Sequence, residues 1–285
     1  MKYRHSFHAG NFADVHKHVT LLMLLRALKR KAKGFLFLDT HAGRGRYDLS
    51  SPSAEAAGGI GRLLQAPPPA QELRDYAALI ATLRSRPQWR HLYPGSPLIA
   101  LSELRAQDRA VLCELQGSEV HALETALREF AADGGAAARF RVERGDGLRQ
   151  LRALLPPPER RGLLLIDPPY EASDEPAQLA NALREGLQRF PSGVFAAWYP
   201  IKEARSASAW LSRCVRELAV PLLASELWLY PRDSRVALNG SGLLIANPPY
   251  QTLERMQQWL PQLQAVLGAG EGAGNSTRML SESSP

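Results

Sequence analysis

The sequence predicts an α/β fold: five parallel strands covered by helices on both faces, an antiparallel hairpin at the sheet edge, and a small helical insertion. Short, almost wholly apolar runs alternate with helical patterns along most of the 285 residues, and a strand buried on both faces must be apolar on both. The last two β-rich runs are separated by a link too short for a crossover helix, so they pair antiparallel.

The first helix starts at Asn11 as N-cap, with Asp14 three residues on, and runs to about Lys33. Residues 35–38, 110–113, 140–143, 163–166 and 194–198 are the five parallel strands, each followed by turn residues and then a helical pattern. Segments 226–230 and 242–246 form the edge pair. Between Asp48 and Tyr93 no strand is evident; helical patterns at 54–65 and 70–86 flank Pro67-Pro68-Pro69. The division is therefore a main domain of residues 1–50 and 94–267, a helical insertion at 51–93, and a disordered tail at 268–285 that is rich in Gly and Ser.

Apolar content of 45% and charged content of 22% are those of a globular protein. The longest apolar stretch, Val19 to Leu28, is broken by Arg26 and cannot span a bilayer, so no membrane association is expected. The run after Lys2 and Arg4 lacks the apolar centre of a signal peptide. Cys113 and Cys214 lie in apolar runs and read as buried reduced thiols of a cytoplasmic protein; a monomer is the working expectation. The net charge of +7 fits a polyanionic partner. Basic residues cluster at Lys29, Arg30, Lys31 and Lys33, at Arg139, Arg141 and Arg144, and at Arg84, Arg86 and Arg90; the alternative for each is a solvated face.

The most specific chemical signal is Asp167-Pro168-Pro169-Tyr170 at the end of the 163–166 strand. The exocyclic amine of adenine is a poor nucleophile, because its lone pair is delocalised into the ring. A site that alkylates it needs acceptors that aim the amine and stabilise the charge growing on nitrogen. The Asp167 carboxylate and the Pro168 carbonyl are those acceptors, and Tyr170 is a flat face for an extruded base. A second copy, Asn247-Pro248-Pro249-Tyr250, follows the final strand. That strand is antiparallel, so its carboxyl end opens on the other side of the sheet and Asn247 reads as a turn residue.

A cofactor site assembles from several strand ends. Asp39-Thr40-His41-Ala42-Gly43-Arg44-Gly45 is a glycine-containing turn that lacks the third glycine of a dinucleotide fingerprint, which counts against a dehydrogenase. Glu114 ends the second sheet strand and can accept from both hydroxyls of a ribose. Asp146 follows the third strand and can accept from an adenine amine. Lys17 and His18 lie on the first helix, where they can face the cofactor's carboxylate, Lys17 is expected beside the substrate together with Tyr170, and Ser96 sits at an anion-friendly helix start. The histidines of the N-terminal run, His5, His8, His16 and His18, fit no metal-ligand spacing, so no metal is expected.

Five parallel strands plus an edge hairpin outline the Rossmann-like class I methyltransferase sheet. Residues 3–11 (Tyr-Arg-His-Ser-Phe-His-Ala-Gly-Asn), 38–43, 93–100 (Tyr-Pro-Gly-Ser-Pro-Leu-Ile-Ala), Asp167 to Tyr170 and Trp198-Tyr199-Pro200 resemble the RlmJ family, the bacterial 23S rRNA adenine-N6 methyltransferases, over about residues 3–261. The resemblance implies S-adenosyl-L-methionine as methyl donor, no metal, and the N6 amine of adenine 2030 in 23S ribosomal RNA as target. It implies cofactor contacts at His18, His41, Ser96, Glu114, Asp146, Gly147 and Asp167, Asp167 as catalytic acceptor, Tyr3 near the substrate base, and an RNA-facing insertion. The Asp133 to Ala138 stretch is longer than the family pattern suggests. A DNA adenine-N6 methyltransferase and a non-catalytic RNA-binding ribosome assembly factor are the competing readings. The motif itself does not read the 2′-hydroxyl that separates RNA from DNA.

Overall fold

The computed structural model describes residues 8–231, 238–268 and 270–281. In chain order the elements are α1 (Phe12–Lys29), β1 (Leu36–Asp39), β2 (Arg46–Asp48), α2 (Ala54–Ala56), α3 (Arg62–Gln65), α4 (Gln71–Arg84), β3 (Leu92–Pro94), α5 (Ser96–Glu103), β4 (Arg109–Glu114), α6 (Gly117–Ala132), β5 (Arg139–Arg144) and α7 (Gly147–Leu154). There follow β6 (Gly162–Ile166), α8 (Glu175–Arg189), β7 (Val194–Ile201), α9 (Ala204–Glu217), β8 (Leu222–Trp228), β9 (Gly240–Ala246), α10 (Thr252–Leu267) and β10 (Gly274–Leu280).

Eight strands form one sheet in the order β10-β8-β9-β7-β6-β1-β4-β5. The pairs β1·β4, β1·β6, β4·β5 and β6·β7 are parallel, which gives the five expected parallel strands. Strand β9 lies antiparallel between β7 and β8. The tail is not disordered as expected: residues 274–280 pair antiparallel with β8 along its whole length. Composition hid this strand, because an edge strand with one partner and partial burial needs no apolar alternation.

The direction of the chain reverses between β1 and β6, so the carboxyl ends of these neighbours flank a crevice where an open α/β sheet places its ligands. Helix α1 packs against this sheet with nearly all its residues buried, because it also contacts α4, α5 and α10. Its start is fixed by reciprocal capping: Asn11 Oδ1 accepts from the Asp14 amide and Asp14 Oδ2 from the Gly10 amide, both at 3.0 Å.

The insertion holds helices α2, α3 and α4, with a π-helical turn Ala57–Gly61 joining the first two. Its base also carries the short antiparallel pair β2·β3, which no sequence pattern signalled. Gly59 permits this docking, since a Cβ there would lie 2.2 Å from the Gly10 carbonyl oxygen, and the Ile60 amide donates to that same oxygen at 2.8 Å. Arg84 donates to the Leu92 carbonyl, Arg86 lies over the Phe130 ring, and Arg90 is exposed.

Candidate active site at the strand ends

Three consecutive residues of α1 tie the helix to β8 and β9, to the end of β6 and to β3. The buried imidazole of His16 shares hydrogen bonds with Ser241 (3.0 Å) and Ser225 (2.9 Å) on the antiparallel strands. Burial pushes its pKa down to about 3, with the hydrogen bond to Ser241 opposing. His18 Nδ1 shares a 2.8 Å hydrogen bond with the Tyr93 hydroxyl, which in turn meets Tyr76 of α4 at 2.8 Å. Between them the Lys17 ammonium lies 2.5 Å from Asp167 Oδ2 and 2.9 Å from Asp14 Oδ1. Burial alone would lower the Lys17 pKa, but the two carboxylates outweigh it and hold the group charged, well above its ordinary range.

Asp167 follows β6 and its side chain is 18% exposed, so one edge of the carboxylate stays open while Lys17 holds the other. The backbone then turns through Tyr170 at φ +54°, a left-handed conformation that bulky residues avoid. Its hydroxyl donates to the Trp198 carbonyl at 3.0 Å and its ring meets that of Trp198 edge-on, 5.5 Å between centroids. The outer side of Tyr170 borders a cleft of about 490 Å³ lined also by Pro176, Tyr199, Pro200, Lys202 and Trp210.

In the second copy the left-handed residue is Asn247 itself, a residue type that tolerates it. Its amide donates to Pro191 and Gly193 carbonyls at 2.7 and 2.8 Å, at the end of the sheet where β7 begins. It is a turn residue on the far side of the molecule, as the strand direction predicts.

The remaining candidate residues converge on the crevice to different degrees. Asp39 is fully buried; Ser96 donates to it at 2.7 Å and the His41 amide at 3.1 Å, so Ser96 braces the β1 turn. Burial raises the Asp39 pKa to about 7, and those two donors partly oppose it. His41 Nδ1 meets Thr40 Oγ1 at 2.8 Å; burial lowers its pKa, and the carboxylates of Asp167 and Asp146 both act on it electrostatically. Glu114 accepts from the amides of Gly43 (2.9 Å) and Gln116 (2.8 Å), one on each oxygen, which leaves a lone pair on each. Asp146 caps α7, accepting from the amides of Leu148 and Arg149 at 3.0 and 3.3 Å. A Cβ at Gly147 would stand 2.0 Å from the Thr40 carbonyl, so only glycine lets α7 approach the β1 turn. Tyr3 lies outside the described residues.

Sequence reasoning missed Leu115, which is 65% exposed immediately after Glu114. The available signal was a large apolar residue directly after the strand-ending acid, in a turn segment that is otherwise polar. It also missed the Asp14 pairing with Lys17, although the spacing of three on a helix allows it. Among the described residues no group of three His, Cys, Asp or Glu could hold a metal, and no helix is long and apolar enough to cross a membrane.

The family described as "Ribosomal RNA large subunit methyltransferase D, RlmJ" matches residues 32–279 of the chain. The chain belongs to the RlmJ family. Two proteins named "Ribosomal RNA large subunit methyltransferase J" share 97% coverage in both directions with it: one from Escherichia coli, 40% identical over 285 residues, and one from Haemophilus influenzae, 39% identical over 281. A crystal structure of a Legionella pneumophila protein superimposes with a TM-score of 0.83 at 34% identity, covering 97% of this chain and 99% of that one. The RlmJ assignment therefore extends to the whole architecture, including β10 and the insertion, and matches the resemblance carried by the motifs.

Proposed function

We propose that the chain transfers a methyl group from S-adenosyl-L-methionine to the N6 amine of an adenine in 23S ribosomal RNA, the adenine 2030 site of the family resemblance. The observation that carries this reading is the Asp167 carboxylate, anchored by Lys17 on one edge and open on the other, at the switch point of the sheet. The relatives' names support a large-subunit ribosomal RNA substrate.

The residues present fit the cofactor. Glu114 retains acceptor capacity for a ribose, Leu115 offers an apolar surface for an adenine ring, and the Gly147 close approach leaves no side chain between α7 and the β1 turn. His41 and Asp146 line the same crevice, with Lys17, His18 and Ser96 behind it. When bound, S-adenosylmethionine supplies a sulfonium methyl group, an electrophile that requires no metal. Asp167 and the Pro168 carbonyl accept from the target amine and hold its nitrogen in line as positive charge develops. Lys17 fixes the carboxylate's rotamer across 150 residues of sequence. Tyr170, pinned through Trp198, gives the extruded base a fixed face.

The proposal is tested by ligand protection and by substrate choice. S-adenosylhomocysteine should raise the thermal unfolding midpoint and NAD should not. Labelled methyl should pass to large-subunit rRNA rather than to DNA of the same sequence; transfer to DNA alone would favour the DNA-methylating reading.

A further inference from the structure

A group of exposed basic residues lies at the opposite end of the sheet from Asp167, where the parallel strands begin. Lys31 and Lys33 lie in the link between α1 and β1, which is held down by Arg105 donating to the carbonyls of Lys29 and Lys31 and by Arg161 donating to those of Leu28 and Lys33. Arg139 opens β5, Arg160 precedes β6, and Arg189 ends α8. All five are exposed. The acids of this edge are already engaged: Glu103 by Lys29 and Arg26, Asp108 by Arg105, and Glu159 by Arg109. Lys31, Lys33, Arg160 and Arg189 have no ion-pair partner among the described residues.

The second Pro-Pro-Tyr motif belongs to this same edge. Asn247 fastens its turn to Pro191 and Gly193, two and four residues after Arg189. Tyr250 is then carried out into solvent at 83% exposure, with no hydrogen bond or ring contact among the described residues. Cations at the ends of α1 and α8 also complement the helix dipoles. Arg139 and Arg160 lie at no helix end, and the bare aromatic ring of Tyr250 does nothing for the fold.

We infer that this edge is a second RNA-binding surface, which holds a segment of the ribosomal RNA outside the methylated site, with phosphates on Lys31, Lys33, Arg139, Arg160 and Arg189 and an unpaired base stacked on Tyr250. The inference rests on the RNA-methylating reading of the site. Charge with an interleaved aromatic is what sequence-tolerant binding of single-stranded RNA needs. The six residues of β4 separate the two ends of the sheet by about 20 Å. Asp167 and Tyr250 therefore meet different nucleotides, and an RNA that engages both runs past the length of the sheet.

The test is direct binding of full-length large-subunit rRNA across about 50–200 mM salt, with the Lys31→Gln/Lys33→Gln/Arg160→Gln protein and, separately, Tyr250→Ala. The triple variant should flatten the log–log salt dependence by about two to three units, near 0.7–0.9 per lost phosphate contact. Tyr250→Ala should weaken binding about tenfold. Both proteins should keep the parent's affinity for S-adenosylhomocysteine and its unfolding midpoint, which reports that the catalytic end and the fold are intact. Parental rRNA affinity and salt slope in both variants would overturn the inference. Binding needs no methyl transfer, so a parent protein that binds rRNA but methylates none of it would overturn the proposed reaction alone.

Discussion

Lys17 and Asp167 meet at 2.5 Å across 150 residues of sequence, and this contact joins the first helix to the end of the central strand. Asp14 completes the arrangement from one helical turn away. A buried ammonium shared by two carboxylates is a rigid support, since losing the ammonium would leave two close carboxylates without their counter-charge.

Asp167→Ala should abolish methyl transfer while changing cofactor affinity little, because its partner is the target amine in the transition state. It should also lower stability by about 1–3 kcal/mol, as Lys17 keeps Asp14 as counter-ion but loses one charge-assisted hydrogen bond. Asn247→Ala should leave the rate near that of the parent and cost about 1–3 kcal/mol of stability through the two unmet carbonyls. Steady-state kinetics with denaturant unfolding decides; a dead Asn247→Ala beside an active Asp167→Ala would reverse the choice between the two motifs.

Glu114→Ala should raise the KM for S-adenosylmethionine by roughly ten- to a hundredfold, about 1–3 kcal/mol of lost acceptor interaction. The same change frees the Gly43 and Gln116 amides, so the turn loosens as well. Glu114→Gln should recover part of the turn but less of the cofactor affinity. Calorimetry giving parental affinity for Glu114→Ala would take this residue out of the site.

How far the site could be read from sequence follows from what each residue type requires. Asp167 and Glu114 stand at the ends of apolar strands and Asp146 two residues after an alternating one, and a strand end is a position that sequence pattern locates. The partnerships were not readable, because they are made between segments far apart in the chain. Ser96 bracing Asp39 and His18 engaging Tyr93 depend on how α1, α5 and the insertion pack, and no local pattern carries that. The edge strand β10 was read as tail for a related reason: its only partner is β8, so its residues 274–280 show neither apolar alternation nor turn chemistry.

Acid should weaken the fold through His16. Its folded-state pKa is depressed from 6.5 to about 3 by burial, so the unfolded chain takes up a proton that the folded chain refuses. The stability it contributes is present above pH 6.5 and is lost as pH falls toward 3, at up to about 1.4 kcal/mol per pH unit for one proton. Urea unfolding between pH 7 and 4 should therefore show a steeper decline for the parent than for His16→Ala. His16→Ala should itself be less stable at pH 7, with the Ser225 and Ser241 hydroxyls left short of a partner. Parallel pH profiles for the two proteins would remove His16 as the source.

Removing β10 by ending the chain at Gly270 should destabilise the protein by several kcal/mol, because the β8 edge would lose its seven-residue partner. Methyl transfer should survive at low temperature, since β10 and the Asp167 crevice stand at different places in the strand order. Unchanged unfolding of the shortened protein would mean that the strand contributes nothing to the fold.

The central claim is the reaction itself, and mapping methylated adenines by mass spectrometry in ribosomal RNA from cells lacking this gene tests it most directly. The account predicts that one N6-methyladenine disappears from 23S rRNA, returns with the parent gene, and stays absent with the Asp167→Ala gene. An unchanged set of methylated adenines in the deletion strain, or restoration by Asp167→Ala, would contradict it.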